Sequence, residues 1–136
     1  MLTLVEIDKD LIKYLSQKYL FNNKVNLINA DILYYEIKDY YQLIISNLPY
    51  NISSQILVKL STMRKSPDTL ILMFQKEFAQ RLLDKKLNSI NSLIKCFYSI
   101  KLNFNVSRNC YRPIPKVDSS VLTFNKLKKK LLKLMK

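Results

Sequence analysis

The sequence predicts an α/β fold with a mostly parallel sheet. Short apolar, β-capable segments alternate along the chain with segments whose apolar residues recur at helical spacing, the pattern of strand–helix–strand units. The chain has 136 residues, of which 49% are hydrophobic. A chain of this length can form one domain that buries roughly two-thirds of the surface exposed when it is unfolded. No internal repeat is visible, so we expect one compact core.

The first part of the chain contains three predicted strands. Residues 2–7 form a short apolar run, and apolar side chains then recur at four-residue steps, as on one face of a helix. Residues 25–30 predict a second strand that ends at Asp31, and residues 42–46 predict a third, buried strand. This third strand runs into Asn47-Leu48-Pro49-Tyr50, where the proline prevents a central strand from continuing.

The second part of the chain is predicted to alternate between helices and strands around one long loop. Ser53 or Ser54 is expected to cap the next helix. The remaining predicted elements are a strand over residues 69–74, a helix carrying Phe78 and Leu82, a helix over residues 90–98, strands over residues 100–106 and 119–124, and a proline-containing loop over residues 108–118.

The composition excludes two kinds of site. Histidine is absent, and Cys96 and Cys110 lack the spacing of metal ligands, so we expect no metal site and two reduced thiols. Glycine is also absent, although roughly nine would be expected at average usage. A glycine-rich loop around a phosphate or a cofactor is therefore excluded within this chain.

The sequence carries no signal for export or membrane insertion. It lacks a run of about 18 uncharged apolar residues, and residues 1–10 carry acidic groups where a signal peptide has basic ones. We expect a soluble protein located in the cytoplasm, or in an organellar matrix if the source is eukaryotic.

The net charge of +13 is concentrated in the later part of the chain. Residues 1–39 carry five basic and six acidic groups, whereas residues 40–136 carry eighteen basic and four acidic groups, a net charge of +14. Such a field attracts polyanions, and nucleic acid is the commonest polyanionic partner. A lysine-rich genome would also produce this composition, so charge alone favours RNA or DNA binding only modestly.

Polar side chains recur where the predicted strands end. Glu6 and Asp8 follow the first strand, Asp31 the second and Asn47 the third. In open α/β sheets, ligands bind beyond the carboxyl ends of the strands. A carboxylate at Glu6 can accept both hydrogen bonds of a ribose diol, and one at Asp31 can accept from an adenine amino group. Helix capping is the alternative for each residue alone, and their repetition favours a binding site.

The tetrapeptide Asn47-Leu48-Pro49-Tyr50 is the most specific short feature. Proline fixes the backbone, so the Asn47 amide oxygen and a neighbouring carbonyl could point at one amino group while Tyr50 offers an aromatic face to the base that carries it. A proline turn with a buried tyrosine is the alternative for a lone match of four residues.

Longer motifs around this tetrapeptide resemble the rRNA adenine N6-dimethyltransferase family. The motifs, in the family's order and at about its separations, are residues 47–54 (NLPYNISS), 74–82 (FQKEFAQRL) and 111–121 (YRPIPKVDSSV), supported by 5–8 (VEID) and 30–33 (ADIL). The resemblance covers residues 2–125. The string Asn-Leu-Pro-Tyr-Asn-Ile-Ser is closer to the KsgA/Dim type, which modifies small-subunit rRNA, than to the related Erm resistance type.

The resemblance implies an rRNA adenine-N6,N6-dimethyltransferase that transfers methyl groups from S-adenosyl-L-methionine (SAM) to adenosine N6. Its implied partner is small-subunit rRNA or its precursor, with no membrane and no metal, and the protein is expected to be a monomer. The resemblance implies catalytic roles for Asn47, Leu48, Pro49 and Tyr50, and cofactor binding by Glu6, Asp31, Ile32 and Asn47. Tyr50 and Tyr111 are implied to stack on a flipped base, and Tyr111 stands where phenylalanine is usual in the family. The implied RNA phosphate contacts are Lys76, Arg81, Arg108, Arg112 and Lys116. Solvated surface charge is the alternative for each basic residue.

The resemblance also implies the fold and its limits. It implies an incomplete Rossmann-like SAM-dependent methyltransferase sheet with a late antiparallel strand and helices on both faces. The family has an RNA-contacting segment, a central strand and a glycine-rich SAM loop ahead of residue 2, and a helical domain after residue 125. We therefore expect a partial methyltransferase domain at residues 1–125 and a basic amphipathic tail, the stub of the helical domain, at residues 126–136. Ile90-Asn91 stands where the family often has Tyr-Gly.

Three functions are compatible with these features. The first is a dimethyltransferase, or an inactive fragment of one. The second is a non-catalytic RNA-binding remnant of that family. The third is an amino-group methyltransferase acting on DNA or a protein glutamine; Leu48 argues against it, because those enzymes usually have proline at that position.

Overall fold

The computed structural model describes residues 1–128, which form two compact units, Met1–Ile37 and a second that begins at Lys38. None of the helices in the described residues is long and apolar enough to cross a membrane. The elements are, in chain order, β1 (Leu2–Glu6), α1 (Lys9–Lys18), β2 (Val25–Asn29), β3 (Leu43–Asn47), a 3₁₀ turn (Tyr50–Ile52), α2 (Ser53–Thr62), β4 (Thr69–Gln75), α3 (Lys76–Leu83), α4 (Ser89–Lys95), β5 (Tyr98–Val106), a second 3₁₀ turn (Arg108–Cys110) and β6 (Ser119–Lys126).

The first unit is a single strand–helix–strand motif. Strands β1 and β2 pair in parallel from Leu2 opposite Val25 to Glu6 opposite Asn29. Helix α1 begins where the Asp8 carboxylate accepts hydrogen bonds from the backbone N–H groups of the first turn. Asp8 therefore acts as a helix cap, which was the alternative to a ligand role.

This first unit has no buried side chain among its 37 residues, all of which are described. Leu11 on α1 is 50% exposed and Phe21 in the following turn is 97% exposed. Units below about 40 residues rarely bury enough surface to be stable alone. Its strand pairing and helix cap therefore define its local geometry without a core to reinforce them.

The second unit contains a four-stranded sheet in the order β3-β4-β6-β5. Strands β3 and β4 are parallel, while β6 is antiparallel to both β4 and β5. Three of its four strands therefore run in one direction and the last runs against them. This confirms the predicted α/β fold with a mostly parallel sheet and a late antiparallel strand.

The buried core lies in the second unit. Along β4, Leu70, Leu72 and Phe74 alternate with less buried neighbours, as expected when one face of a strand is fully covered. Phe124 packs edge-on against both Phe74 and Tyr98, at centroid distances of 6.1 and 6.5 Å. The Tyr98 hydroxyl donates to the Pro67 carbonyl at 2.6 Å, and burial raises the pKa of this hydroxyl.

Two local predictions were wrong. Neither Ser53 nor Ser54 caps α2, because Ile52 is the N-cap residue and the Ser53 hydroxyl donates to the Tyr50 carbonyl at 3.1 Å. A 3₁₀ turn leads directly into this helix, so the first helical residue needs no separate side-chain cap. The helix predicted over residues 90–98 ends at Lys95, and Tyr98 instead begins β5, where its aromatic ring enters the core.

The buried side chain of Asn91 ties together the ends of α3 and α4. Its amide oxygen accepts from the Asn88 N–H at 2.8 Å, completing a capping box at the start of α4. Its amide nitrogen donates to the carbonyls of Arg81, Asp84 and Lys86 at 3.1, 3.4 and 3.0 Å. The side chain thus satisfies carbonyls that the end of α3 and the following turn leave open.

The predicted basic tail over residues 126–136 lies largely outside the described residues. Lys126 is the last residue of β6, and the Leu127 N–H donates to the Phe97 carbonyl at 2.8 Å. Residues 129–136, the rest of the predicted amphipathic tail, are not described.

We predict that Asn91→Ala lowers the free energy of unfolding of the second unit by about 1–3 kcal/mol, because it removes the capping box of α4 and the bonds that a fully buried amide makes to the end of α3. Urea denaturation followed by circular dichroism measures this change. The control is Asn103→Ala on β5, since the exposed Asn103 amide bonds Thr123 at the surface. Equal losses for the two variants would contradict the role assigned to Asn91.

Candidate nucleobase and cofactor site

The first unit places two carboxylates at the ends of adjacent parallel strands. Glu6 ends β1 and is half-buried, and its Oε1 accepts from the Asp8 N–H at 2.9 Å. Asp31 follows β2, and its Oδ1 accepts from the Leu33 N–H at 2.9 Å. The Ala30 N–H donates to the Glu6 carbonyl at 3.0 Å, so the two strand ends lie side by side. Each carboxylate has about four acceptor sites, so one such bond leaves capacity for a ligand.

The end of β3 determines how the Asn47 to Tyr50 segment is presented. Asn47 is the last residue of the strand and is exposed, whereas Leu48 is only 3% exposed. Pro49 has φ −60° and ψ 127°, which turns the chain out of the sheet and into the 3₁₀ turn that begins at Tyr50. Leu48 therefore anchors the segment in the core while Asn47 faces outward.

The sheet topology brings this segment next to the start of β6. Asn47 at the end of β3 is in register with Met73 on β4, because the two strands are parallel. Ser119 at the start of β6 is in register with Gln75 on β4, because those two strands are antiparallel. The end of β3 and the beginning of β6 therefore lie on either side of the carboxyl end of β4.

Two tyrosine hydroxyls are held at this edge of the sheet. The Tyr50 hydroxyl lies 2.6 Å from the Ser119 Oγ, and either oxygen can be the donor. The Tyr111 hydroxyl donates to the Met73 Sδ at 3.0 Å. Both rings are half-buried, so each keeps part of its surface available for contact.

These residues line an open pocket of about 260 Å³ in the second unit. Its lining consists of Asn47, Leu48, Pro49, Tyr50, Tyr111, Arg112, Pro113 and Pro115. The walls are therefore two tyrosine rings, prolines and a leucine, with the Asn47 amide and the Arg112 guanidinium as polar groups. Such a lining suits a flat, apolar-faced ligand with a few hydrogen-bonding groups at its edge.

The loop between β5 and β6 is fixed mainly by Asp118. Its Oδ1 accepts from the Arg108 N–H at 2.9 Å, and its carbonyl accepts from the Lys76 N–H at 2.9 Å. Arg112 Nη1 closes a tighter turn within the loop by donating to the Asn109 and Tyr111 carbonyls at 3.0 and 2.8 Å. The pocket wall formed by this loop is therefore held at its base by one carboxylate.

A second cleft, of about 440 Å³, lies on the basic side of the same loop. It is lined by Lys76, Glu77, Gln80, Arg108, Lys116, Val117 and Asp118. Arg108 Nη1 donates to the Lys116 carbonyl at 3.1 Å, which holds the guanidinium along the loop. The cleft carries three cationic and two acidic side chains, so it is polar with a net positive charge.

Comparison with known proteins decides the family. A model of the family described as ribosomal RNA adenine dimethylase matches residues 1–134. The chain belongs to this family. The predicted resemblance to the rRNA adenine dimethyltransferase family is therefore confirmed.

Named relatives agree with this assignment. A ribosomal RNA small subunit methyltransferase A from Malacoplasma penetrans is 39% identical over 135 residues, a match that covers 93% of this chain and 48% of the relative. A mitochondrial ribosomal RNA small subunit methyltransferase from Arabidopsis thaliana is 34% identical over 87% of this chain and 33% of its own length. The chain thus spans about half the length, or less, of these dimethylase relatives.

Solved structures show the same fold. A dimethyladenosine transferase from Plasmodium falciparum superposes with a TM-score of 0.85 and 28% identity, covering 96% of this chain and 49% of that one. The 23S rRNA methyltransferase ErmE superposes with a TM-score of 0.81 at 24% identity, over 97% of this chain and 57% of that one, and shows the fold alone.

Some of the predicted site residues lie together. Tyr50 and Tyr111, predicted to stack on one base, line the same pocket as Asn47. The predicted RNA contacts fall into three places. Lys76, Arg108 and Lys116 line the basic cleft, Arg112 lines the 260 Å³ pocket, and the Arg81 guanidinium lies over the Phe78 ring, 5.9 Å from its centroid. Glu6, Asp31 and Ile32 belong to the first unit.

Sequence reasoning missed three contributors to this site. Pro113 and Pro115 were assigned only to a loop, yet both line the pocket. Ser119 was quoted within a motif without a role, yet it holds Tyr50. The sequence carried no signal for this contact, because Ser119 begins its strand and reaches this edge of the sheet only through the antiparallel pairing of β6 with β4.

We predict that Asp118→Ala makes the loop at residues 108–118 more accessible to trypsin, because the Arg108 N–H loses its acceptor and the loop loses its base. Limited proteolysis followed by mass spectrometry should show cleavage after Arg108 and Lys116 several-fold faster than in the wild type, as local opening becomes easier. Asp118→Asn keeps an acceptor oxygen and serves as the control, with cleavage close to wild type. Equal cleavage of all three proteins would contradict this role.

Proposed function

We propose that this chain carries the target-adenosine site of a SAM-dependent rRNA adenine-N6,N6-dimethyltransferase acting on small-subunit rRNA. The observation that carries the proposal is the pocket bounded by Asn47, Tyr50 and Tyr111 within a chain of the dimethylase family. The relatives named as small-subunit methyltransferases support the choice of rRNA.

The pocket suits one purine base taken out of its helical stack. Its volume of about 260 Å³ is below the roughly 300–1,000 Å³ typical of pockets for drug-sized ligands. Enzymes that modify bases extrude the target nucleotide and hold it between aromatic and apolar side chains. Tyr50 and Tyr111 supply aromatic faces here, and stacking on each is worth about 1–3 kcal/mol per base.

Asn47 would hold the amino group that reacts. The exocyclic amine of adenine is a poor nucleophile because its lone pair is delocalised into the ring. The Asn47 amide oxygen and a neighbouring backbone carbonyl would accept its two protons, which favours a more pyramidal and more nucleophilic nitrogen. The contribution of the chain is therefore positioning and hydrogen-bond acceptance, and these effects can supply several kcal/mol of the barrier reduction.

The strand ends of the first unit fit the adenosine part of SAM. Glu6 and Asp31 follow adjacent parallel strands, and each carboxylate has acceptor capacity beyond its one backbone bond. We assign the ribose diol to Glu6 and the adenine ring to Asp31 with Ile32 beside it. SAM, when bound, supplies the electrophilic methyl group.

The basic cleft offers a site for the RNA backbone. Lys76, Arg108 and Lys116 surround it, and lysine and arginine contacts to phosphates supply most of the sequence-independent affinity for nucleic acid. We expect the protein to act as a monomer on small-subunit rRNA or its precursor. Its expected location, the cytoplasm or an organellar matrix, follows from that substrate.

The direct test is transfer of radiolabelled methyl groups from SAM to small-subunit rRNA by the purified chain. We predict that Asn47→Ala lowers the rate by about 100-fold or more, the size expected when a transition-state acceptor is removed. RNA affinity should stay within twofold, since Asn47 carries no charge. Label incorporated equally by the wild type and Asn47→Ala would overturn the assignment of the site, and calorimetry with Glu6→Ala tests SAM binding separately.

A second candidate is a non-catalytic RNA-binding remnant of the family. The observation that favours it is the net charge of +14 over residues 40–136 in a chain that spans about half of its relatives. Such a protein would bind RNA through the basic cleft without SAM.

SAM distinguishes the two candidates. Both predict RNA affinity that falls with salt and survives Asn47→Ala, but the remnant predicts no SAM binding, no methyl transfer and no change of RNA affinity at saturating SAM. The logarithmic salt slope should decrease by about one when Lys116→Ala removes one phosphate contact. SAM binding together with methyl transfer would eliminate the remnant.

A further inference from the structure

We propose that Ser119 is the positioning residue that holds the Tyr50 ring in the conformation required to stack on the target base. This proposal rests on the function proposed above, and it assigns a role to a serine of the third motif that is given no role there. Ser119 itself contacts Tyr50 and does not line the pocket.

The contact is a short bond between two hydroxyl groups. The Tyr50 Oη and the Ser119 Oγ lie 2.6 Å apart, within the usual range for an O–H···O hydrogen bond. Ser119 is 0% exposed, so water is not available to replace Tyr50 as its partner. The buried Ser119 hydroxyl therefore depends on Tyr50, and loss of the Tyr50 hydroxyl leaves it without this partner.

The Ser119 end of this bond is the rigid end. Ser119 begins β6, where it is paired with Gln75 on β4 and with Val106 on β5. A residue held by strands on both sides has little freedom to move. Tyr50 instead begins a short 3₁₀ turn after Pro49, and its other tie is the bond from the Ser53 hydroxyl to its carbonyl at 3.1 Å.

The bond fixes the two side-chain torsions of Tyr50. A tyrosine ring on a turn can rotate about χ1 and χ2, and stacking needs one orientation. Anchoring the hydroxyl at a fixed point in the sheet selects that orientation before the base arrives. Misplacement of a positioned group by about 1 Å can cost up to about a hundredfold in rate.

Tyr111 provides a comparison within the same pocket. Its hydroxyl donates to the Met73 Sδ at 3.0 Å, and a thioether is a weaker acceptor than a hydroxyl. The hydrogen bond between Tyr50 and Ser119, here called the Tyr50 tether, is therefore the stronger of the two bonds.

Ser120 offers a matched control. It is the next residue of β6, is 2% exposed, and donates from its Oγ to the Asn105 Oδ1 at 2.7 Å. Ser120→Ala therefore removes a buried hydroxyl of the same strand without touching Tyr50. Any effect of Ser119→Ala that Ser120→Ala does not share belongs to the tether.

The experiment measures base stacking by fluorescence. The probe is a short oligouridylate with one central 2-aminopurine, whose emission is quenched when it stacks, titrated with the full chain. Tyr50→Ala should abolish the quenching that the wild type produces. Ser119→Ala should weaken base-dependent affinity, taken relative to an abasic probe, by about fivefold or more, since one stacked base contributes a factor of about 5 to 150. Ser120→Ala should match the wild type, and Ser119→Thr should restore quenching because it keeps the hydroxyl.

Other outcomes separate this proposal from the proposed function. Quenching by Ser119→Ala equal to that by Ser120→Ala, with Tyr50→Ala inactive, would overturn the role of Ser119 and leave the base pocket standing. Quenching that survives Tyr50→Ala would overturn the role of Ser119, and quenching that also survives Tyr111→Ala would overturn the base pocket.

A second variant keeps the test decisive if Ser119→Ala fails to fold. Tyr50→Phe keeps the aromatic face, breaks the tether from the other side and leaves β6 unchanged. It should lose affinity for the 2-aminopurine probe as Ser119→Ala does, and full retention would contradict the proposal. In the ligand-free protein, ring relaxation measured by NMR with labelled tyrosine should show greater mobility of Tyr50 in Ser119→Ala than in Ser120→Ala.

Discussion

The arrangement of the candidate site depends on the two different pairings of β4. Its parallel pairing with β3 sets Asn47 opposite Met73, and its antiparallel pairing with β6 sets Ser119 opposite Gln75. Because of this combination, a strand that ends and a strand that begins meet at the same edge of the sheet. Segments about 70 residues apart in the chain are thereby brought together around one pocket. A one-residue shift in the register of β6 would turn the Ser119 side chain to the other face of the sheet, away from Tyr50.

At the carboxyl end of β4, the main physical effect is that side chains are held in position before a ligand binds. Leu48 in the core fixes the strand end, Pro49 fixes the turn, and hydroxyl bonds fix the Tyr50 and Tyr111 rings. Each of these contacts restricts a side chain or a backbone torsion before a ligand is present. Binding a flat base to such a pre-organised pocket costs less conformational entropy than binding it to mobile rings.

The two compact units differ in what stabilises them. The second has a buried aromatic core around Phe74, Tyr98 and Phe124 and a sheet of four strands. The first has one strand pair and a capped helix, and none of its 37 residues is buried. The candidate nucleobase pocket lies wholly in the unit with the core, which suits groups that must be held within a fraction of an ångström.

Much of the fold was predictable because its signals are local. The continuous apolar run at residues 69–74 and the stop at Pro49 depend on neighbours in sequence, and both were predicted. The wrong predictions arose where a tertiary contact decided the outcome. Tyr98 leaves the predicted helix because its ring fills the core beside Phe124, and Ser53 bonds Tyr50 because a 3₁₀ turn already starts α2.

The candidate site could likewise be predicted only in part, because some of its contacts are local in sequence and others are tertiary. Asn47, Tyr50 and Tyr111 could be named from motifs, and the structure places all three at one pocket. The anchors of the two tyrosines could not be named, because the Ser119 and Met73 contacts exist only after β6 and β3 have paired with β4. Arg81 was predicted as an RNA contact together with the other basic residues, and its contact with Phe78 follows from helical spacing within α3.

The measurement that tests the central claim most directly is an NMR titration of the isotopically labelled chain with adenosine monophosphate. The account predicts saturable shifts of the Asn47–Tyr50 and Tyr111–Pro115 signals, with a smaller response to uridine monophosphate because a pyrimidine stacks less. Shifts confined to the basic cleft around Arg108 and Lys116, equal for both nucleotides, would show phosphate binding without base recognition and would contradict the assignment of the pocket.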